Sequence, residues 1–214
     1  MKKILSISLF LFMVTMTLGQ EYRIGLHFSP NTTWAKVDKD FENTSSKIQY
    51  SWGVRMERNF SDRNYGYFGG IDLSKKGAKV EVKDDNGNVY DMNYSAQYIE
   101  IPLAIKMTTR PIGQFSYWLN IGLSPNLKIS EDVTIESENV DYTFDDSKNY
   151  ISSFNMSLFV GGGIQYELTE GTDLIGGIQY NNGFTNNINK DELPGSYSSK
   201  ISFNSFGLFI GVLF

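Results

Sequence analysis

The stretch YIEIPLAIKM, residues 98–107, alternates along its whole length. Ile99, Ile101, Leu103, Ile105 and Met107 fall on one side of an extended chain. Tyr98, Glu100, Pro102, Ala104 and Lys106 fall on the other. A strand of a soluble sheet would bury the apolar row and wet the charges. A strand of a transmembrane barrel would set the apolar row in lipid and turn the charges into the lumen. The rest of the chain decides between them.

Period-2 alternation recurs about eight times after residue 20, and we expect strands near 21–30, 48–58, 65–75, 97–108, 114–125, 154–168, 172–183 and 202–214. Most have the 9–11 residues that a tilted strand needs to cross a bilayer. The connections NFSDRNYG, TTRPIG and LTEGT are short. Those near 31–47, 76–96, 126–153 and 184–201 are long, and the two kinds alternate strictly. Short periplasmic turns and long outer loops are the habit of membrane barrels, and an even strand count brings both ends of the barrel chain to the periplasmic side.

The apolar rows carry no charge, as lipid requires, since Lys or Arg at a barrel midplane costs roughly 2–4 kcal/mol. A dry soluble core would exclude charge too. The aromatic residues separate the cases. With the strands folded up and down, Tyr22, Phe60, Tyr65, Tyr67, Phe115, Tyr117, Tyr166 and Phe214 gather at the periplasmic level. Phe28, Tyr50, Trp52, Phe154 and Tyr180 gather at the other, with aliphatic residues between. Two aromatic belts match the two interfaces of a bilayer. The expected fold is all-β: an eight-stranded antiparallel up-and-down transmembrane β-barrel.

The opposite rows hold Arg23, His27, Arg55, Glu57, Asp72, Glu100 and Lys106, among glycines and large rings. Eight strands leave an interior only wide enough for side chains to fill, so these residues should form a polar, largely plugged lumen. Glu100 and Lys106 then need buried partners, for which Arg23, Arg55 and Asp72 are candidates. Pro102 cannot donate to a ladder and predicts a bulge or a missing bond.

The first twenty residues, MKKILSISLFLFMVTMTLGQ, have a basic start, an apolar centre and small residues near Gly19, so 1–19 reads as a signal peptide and 20–214 as the barrel domain. Without residues 1–19, 17 basic face 24 acidic residues, a net charge of −7. That balance argues against a nucleic-acid partner. A mean hydropathy of −0.28 does not count against a barrel, because alternating strands average out. The chain has no Cys, one His and no HExxH pattern, so no metal centre or cofactor is expected. Asp84-Asp85-Asn86-Gly87-Asn88 lacks the spacing of a calcium loop and reads as a hairpin tip. The segment 128–150 carries Glu131, Asp132, Glu136, Glu138, Asp141, Asp145 and Asp146, an acidic surface loop suited to bridging by divalent cations or to a basic partner.

The motifs YIEIPLAIK, GGIDLSKKGAKV, GGGIQYEL, GGIQYNNGFTNNI and FGLFIGVLF, with the opening YRIGLHFSPN, resemble the PorT-like outer-membrane β-barrel family of Gram-negative bacteria. The resemblance spans nearly all of the chain after residue 20. It implies a barrel in the cell outer membrane with loops on the surface, but no single function, although the family's namesake takes part in protein secretion and surface maturation. Phe214 behind alternating apolar residues resembles the signal read by the barrel-assembly machinery. The expected role is structural or interactive, in a monomer that meets outer-membrane lipid, lipopolysaccharide and a surface protein partner. A narrow pore for small solutes is the alternative. A lipid-modifying enzyme ranks below it, since His27 has Ser29 on its own face but nothing that marks a nucleophile.

Overall fold

The computed structural model describes residues 22–37, 41–60, 64–83, 89–137, 150–187, 189 and 200–214. The segment expected as a signal peptide and the hairpin tip at 84–88 lie outside them. Among the described residues there are nine strands: β1 (Tyr22–Val37), β2 (Phe41–Asn59), β3 (Tyr65–Lys83), β4 (Val89–Glu100), β5 (Leu103–Thr108), β6 (Phe115–Ser137), β7 (Phe154–Thr169), β8 (Thr172–Gly183) and β9 (Ile201–Leu213).

β4 and β5 are one barrel strand interrupted at Ile101–Pro102, and both pair β3 on one side and β6 on the other. Pro102 lacks the N–H that the ladder would use, as expected. The wall is held there by Gly70 N–H donating to the Pro102 carbonyl at 3.1 Å and Ile101 N–H to the Pro125 carbonyl at 2.9 Å. Every other neighbour in sequence pairs antiparallel, and β1 pairs both β2 and β9. Eight strand positions therefore close into a ring with no free edge through the barrel wall.

The outward rows follow the predicted register. Ile24, Leu26, Val54, Ile71, Leu103, Ile105, Ile121, Ile178, Leu208 and Ile210 are all exposed. Above and below them lie the two aromatic levels: Tyr22 and Tyr67 hydroxyls meet at 3.2 Å, and Phe115 and Tyr166 rings at 4.9 Å, at the short-turn end. Phe28 and Tyr50 rings lie 6.3 Å apart at the other. Arg58 closes the lower belt, its guanidinium 5.2 Å from the Tyr22 ring, as a snorkelling cation does at an interface.

The expected strand ends are corrected at the long-hairpin side. Most of 31–47 and 76–96 is strand, not loop: β3 has 19 residues and β6 has 23. At about 3.3 Å per residue β3 is about 60 Å long. A tilted crossing uses about ten residues, so roughly half of β3 stands outside the hydrocarbon. In that part the apolar row changes sides. Ala78, Val80, Met92, Tyr94, Ala96 and Val133 point inward, while Lys79, Asp91, Asp132 and Thr134 point out. Water, not lipid, surrounds the wall there, and a sheet in water buries its apolar face.

Candidate functional site

The lumen is a stack of layers. Nearest the short-turn end, Arg23 pairs with Asp173, and Gln165 donates to the same carboxylate. Gln165 Oε1 in turn accepts from Lys106 Nζ at 3.0 Å, and Lys106 donates to both Glu57 oxygens at 2.9 and 3.0 Å. Arg55 Nη2 lies 3.3 Å from Glu57. Arg55 stands between Gly25 and Gly70 on the neighbouring strands, and without their side chains its guanidinium can spread over the Phe68 ring at 3.8 Å.

His27 and Asp72 form the next layer, with Nε2 and Oδ2 3.3 Å apart. They sit on β1 and β3, with Gly53 of β2 between them in the ladder. A Cβ at Gly53 would collide with Asp72 Oδ1, so that glycine is what lets the carboxylate reach across a whole strand. His27 also stacks on Phe209 at 4.9 Å. The Ser29 hydroxyl donates to the Leu208 carbonyl, so both members of the hydrolase pair weighed from sequence have partners of their own.

Glu100 faces Asp72 directly across the β3–β4 ladder. Two carboxylates side by side each need a cation, and Glu100 takes Lys76 at 2.6 Å and the Ser74 hydroxyl at 2.5 Å. The expected partners of Glu100 and Lys106 are thus corrected: Lys76 and Glu57 hold them, not Arg23, Arg55 or Asp72. Lys76 lies in 76–96, which a single fixed alternation leaves as loop. Had the inward apolar row Ala78-x-Val80 been read as strand, Lys76 would have fallen on the lumen face.

Next come Ser124, Asn126, Asn155 and Ser157, bonded to one another, with Asn126 Nδ2 2.6 Å from Asn155 Oδ1. An apolar cluster closes the long-hairpin end: Ala78, Val80, Met92, Tyr94, Ala96, Tyr98, Val133, Tyr150, Ile151, Ile201 and Phe203. Glu131 fastens it. Its carboxylate accepts from the backbone N–H of Tyr150 at 3.0 Å and of Ile151 at 3.1 Å, and from Lys128 at 2.6 Å. Glu131 therefore leaves the acidic surface set and serves as a clamp. Asp132 points outward. Of Glu136 only the backbone is described, opposite Asp91, and Glu138, Asp141, Asp145 and Asp146 lie outside the described residues.

Tyr94 is fully buried in this cap, and its hydroxyl has no hydrogen-bond partner among the described residues. Burial, and secondarily Tyr98, hold its phenol well above the ordinary range. The neutral form is the one that folds, so its contribution is complete below about pH 10 and is lost as pH rises through the raised value. Tyr94→Phe is expected to stabilise the cap by about 1 kcal/mol, since the unpartnered hydroxyl is no longer buried. It should also move the alkaline opening upward, read by hydrogen exchange at the Tyr150 and Ile151 amides.

Between cap and plug remains a chamber of about 30 Å³ beside His27, Arg55 and Asp72, room for about two water molecules. A wider polar vestibule of about 550 Å³, lined by Arg23, Asn59, Asn64, Gln114, Gln165 and Asp173, lies at the short-turn end. Among the described residues no group of His, Asp and Glu could hold a metal ion.

Known proteins agree with this architecture. Neisserial surface protein A aligns with a TM-score of 0.53 at 14% identity, over 90% of this chain and 95% of that one. Outer membrane protein OprG from Pseudomonas aeruginosa aligns with a TM-score of 0.53 at 16% identity, over 92% of this chain and 98% of that one. At such identities the likeness is one of fold. No curated protein sequence matches. The family described as outer membrane protein beta-barrel domain matches residues 16–211. Closed ring, uncharged outward rows and twin aromatic belts meet that match over nearly the whole chain: the protein belongs to the outer membrane protein beta-barrel domain family and resides in the cell outer membrane.

Proposed function

We propose that this barrel is a closed, monomeric, non-enzymatic scaffold, which holds stiff β-hairpins above the outer membrane for a protein partner at the cell surface. The observation that carries the reading is the apolar cap on the lumen. A conducting pore needs a continuous wet path, and here Tyr94, Tyr98, Tyr150, Ile151 and Phe203 stack across the outer end above a layer of paired charges. Catalysis is disfavoured by the placement of His27, whose exposed fraction is small and whose Nε2 is engaged by Asp72. The likeness to PorT-like barrels supports a place in surface protein secretion, with the hairpins of β1–β2 and β3–β4 as the contact region.

Purified protein in planar bilayers tests the central claim. A folded barrel, identified by the mobility shift of its unboiled band, should give no discrete conductance steps at any applied voltage. Regular steps from that folded species would instead establish the narrow pore for small solutes.

A further inference from the structure

Just past the outer aromatic belt the outward row of β3 changes from Ile71 and Leu73 to Lys75, Gly77 and Lys79. The neighbouring β2 carries an irregularity at the same level. From Ser46 to Ser51 it advances five residues while β3 advances four, from Ala78 to Ser74. An extra residue bends the bulged strand and re-aims a side chain, and the side chain here is Lys47. Its stem crosses the outer surface of β3 at Gly77, where Lys47 Cδ lies 3.2 Å from the place a Cβ would take. Its Nζ then donates to the Tyr94 carbonyl on β4 at 3.2 Å.

Three ammonium groups from two strands thus converge on one outward patch. Burial lowers the Lys47 pKa first; Asp132 opposes that, and the repulsion of Lys79 and Lys75 adds to it. Three cations face one carboxylate in a chain whose net charge is −5. Ser95 lies opposite Gly77 in the ladder, 8% exposed, with a hydroxyl that has no hydrogen-bond partner among the described residues. Farther out on the same rows stand Glu81 and Asp91. The positive charge is therefore confined to one level, directly above Tyr50 and Trp52. An aromatic belt marks the edge of the hydrocarbon, so that level is where the phosphates of outer-leaflet headgroups lie.

We propose that Lys47, Lys75 and Lys79, grouped over the buried Ser95 hydroxyl, seat the phosphate of an anionic lipid headgroup in the outer leaflet. Two exposed lysines lie within reach of the membrane surface, and a third is fixed by the bulge and its bond to β4. The seat lies outside the wall and acts whether or not the lumen conducts.

Full-length protein folded in neutral detergent micelles can be titrated with phosphorylated lipopolysaccharide, and the bound lipid read by native mass spectrometry. Chemically dephosphorylated lipopolysaccharide, which keeps only sugar carboxylates, and zwitterionic phosphatidylcholine, whose phosphate is neutralised within its own headgroup, serve as the control arms. The phosphorylated lipid should be retained and the other two should not, and raising the salt should weaken retention. At about 1 kcal/mol per lysine near a charged surface, K75Q/K79Q should lose about thirtyfold in affinity and K79Q alone about fivefold. Arg110→Gln, at the opposite end of the barrel, should lose nothing. Equal retention of the dephosphorylated lipid, or unchanged affinity in both K79Q and K75Q/K79Q, overturns the proposal. Full displacement by millimolar inorganic phosphate would assign the seat to free phosphate and overturn the lipid.

Discussion

Glu57→Gln is expected to destabilise the folded barrel by about 3–5 kcal/mol, the cost of leaving buried charge without its counter-ion. Glu57, Lys106 and Arg55 are each at most 4% exposed. The carboxylate takes two bonds from Lys106 and lies beside Arg55, so one anion compensates two cations. The chain of partners continues through Gln165 to Asp173 and Arg23. Without Glu57, the three cations of this layer keep only Asp173 within it, and Arg55 has only Asp72 of the next layer nearby. Without Lys106, two cations and two carboxylates remain, and each carboxylate keeps a cation. Lys106→Met should therefore cost clearly less than Glu57→Gln, and Glu57→Gln/Lys106→Met should recover part of the single loss. Urea unfolding of the micelle-bound barrel, followed by the heat-shifted band, measures all three. If Lys106→Met proves as costly as Glu57→Gln, charge balance is not what holds this layer.

The same layer marks how far sequence reaches. Register was legible because period 2 is unforgiving: one residue of slip would have put Glu57 and Lys106 into lipid. The belts were legible because Tyr22 and Tyr67 lie near the short-turn ends of their strands, and Phe28 and Tyr50 lie about one bilayer crossing away, levels that any up-and-down closure aligns. Pairing inside the lumen was not, since it depends on which strands lie opposite across the ring and on which glycine leaves room. Asp72 reaches His27 only over Gly53, a contact across two ladders that no local pattern announces. The outer extension was hidden by a change of side. Along β4 the inward residues Met92, Tyr94, Ala96 and Tyr98 are the apolar ones, and from Ile99 onward the outward residues are. Read with one fixed phase, 89–96 loses its pattern and looks like loop. Read with a phase that reverses at the membrane surface, it is one continuous strand, and Lys76 and the cap come with it.

Gly163→Val is expected to abolish the folded barrel, with no heat-shifted band left in the outer-membrane fraction. Gly163 and Gly177 face each other across the β7–β8 ladder, and Trp118 of β6 is the next partner of Gly163. The indole lies in the slot these glycines leave. It donates to the Ile164 carbonyl at 3.2 Å and meets Phe209 edge-on at 5.8 Å. A Cβ on Gly163 would come under 3.0 Å from Gly176 O, Gly176 C and Gly177 Cα, all of them backbone. Overpacking a yielding core costs about 1–3 kcal/mol, but a closed ring has no edge to which a displaced strand can retreat. Relief would require opening the β7–β8 ladder in a bilayer, where freed N–H and C=O groups find no water. Trp118→Ala should not rescue Gly163→Val, because the obstacle is main chain and not the ring. Gly162→Ala is the matched control, one residue away on the lipid face, where the nearest atoms stand at 3.4 Å. It should assemble like the parent. Equal assembly of Gly163→Val and Gly162→Ala would mean that the ring can breathe at β7–β8, and that its closure is looser than the ladder implies.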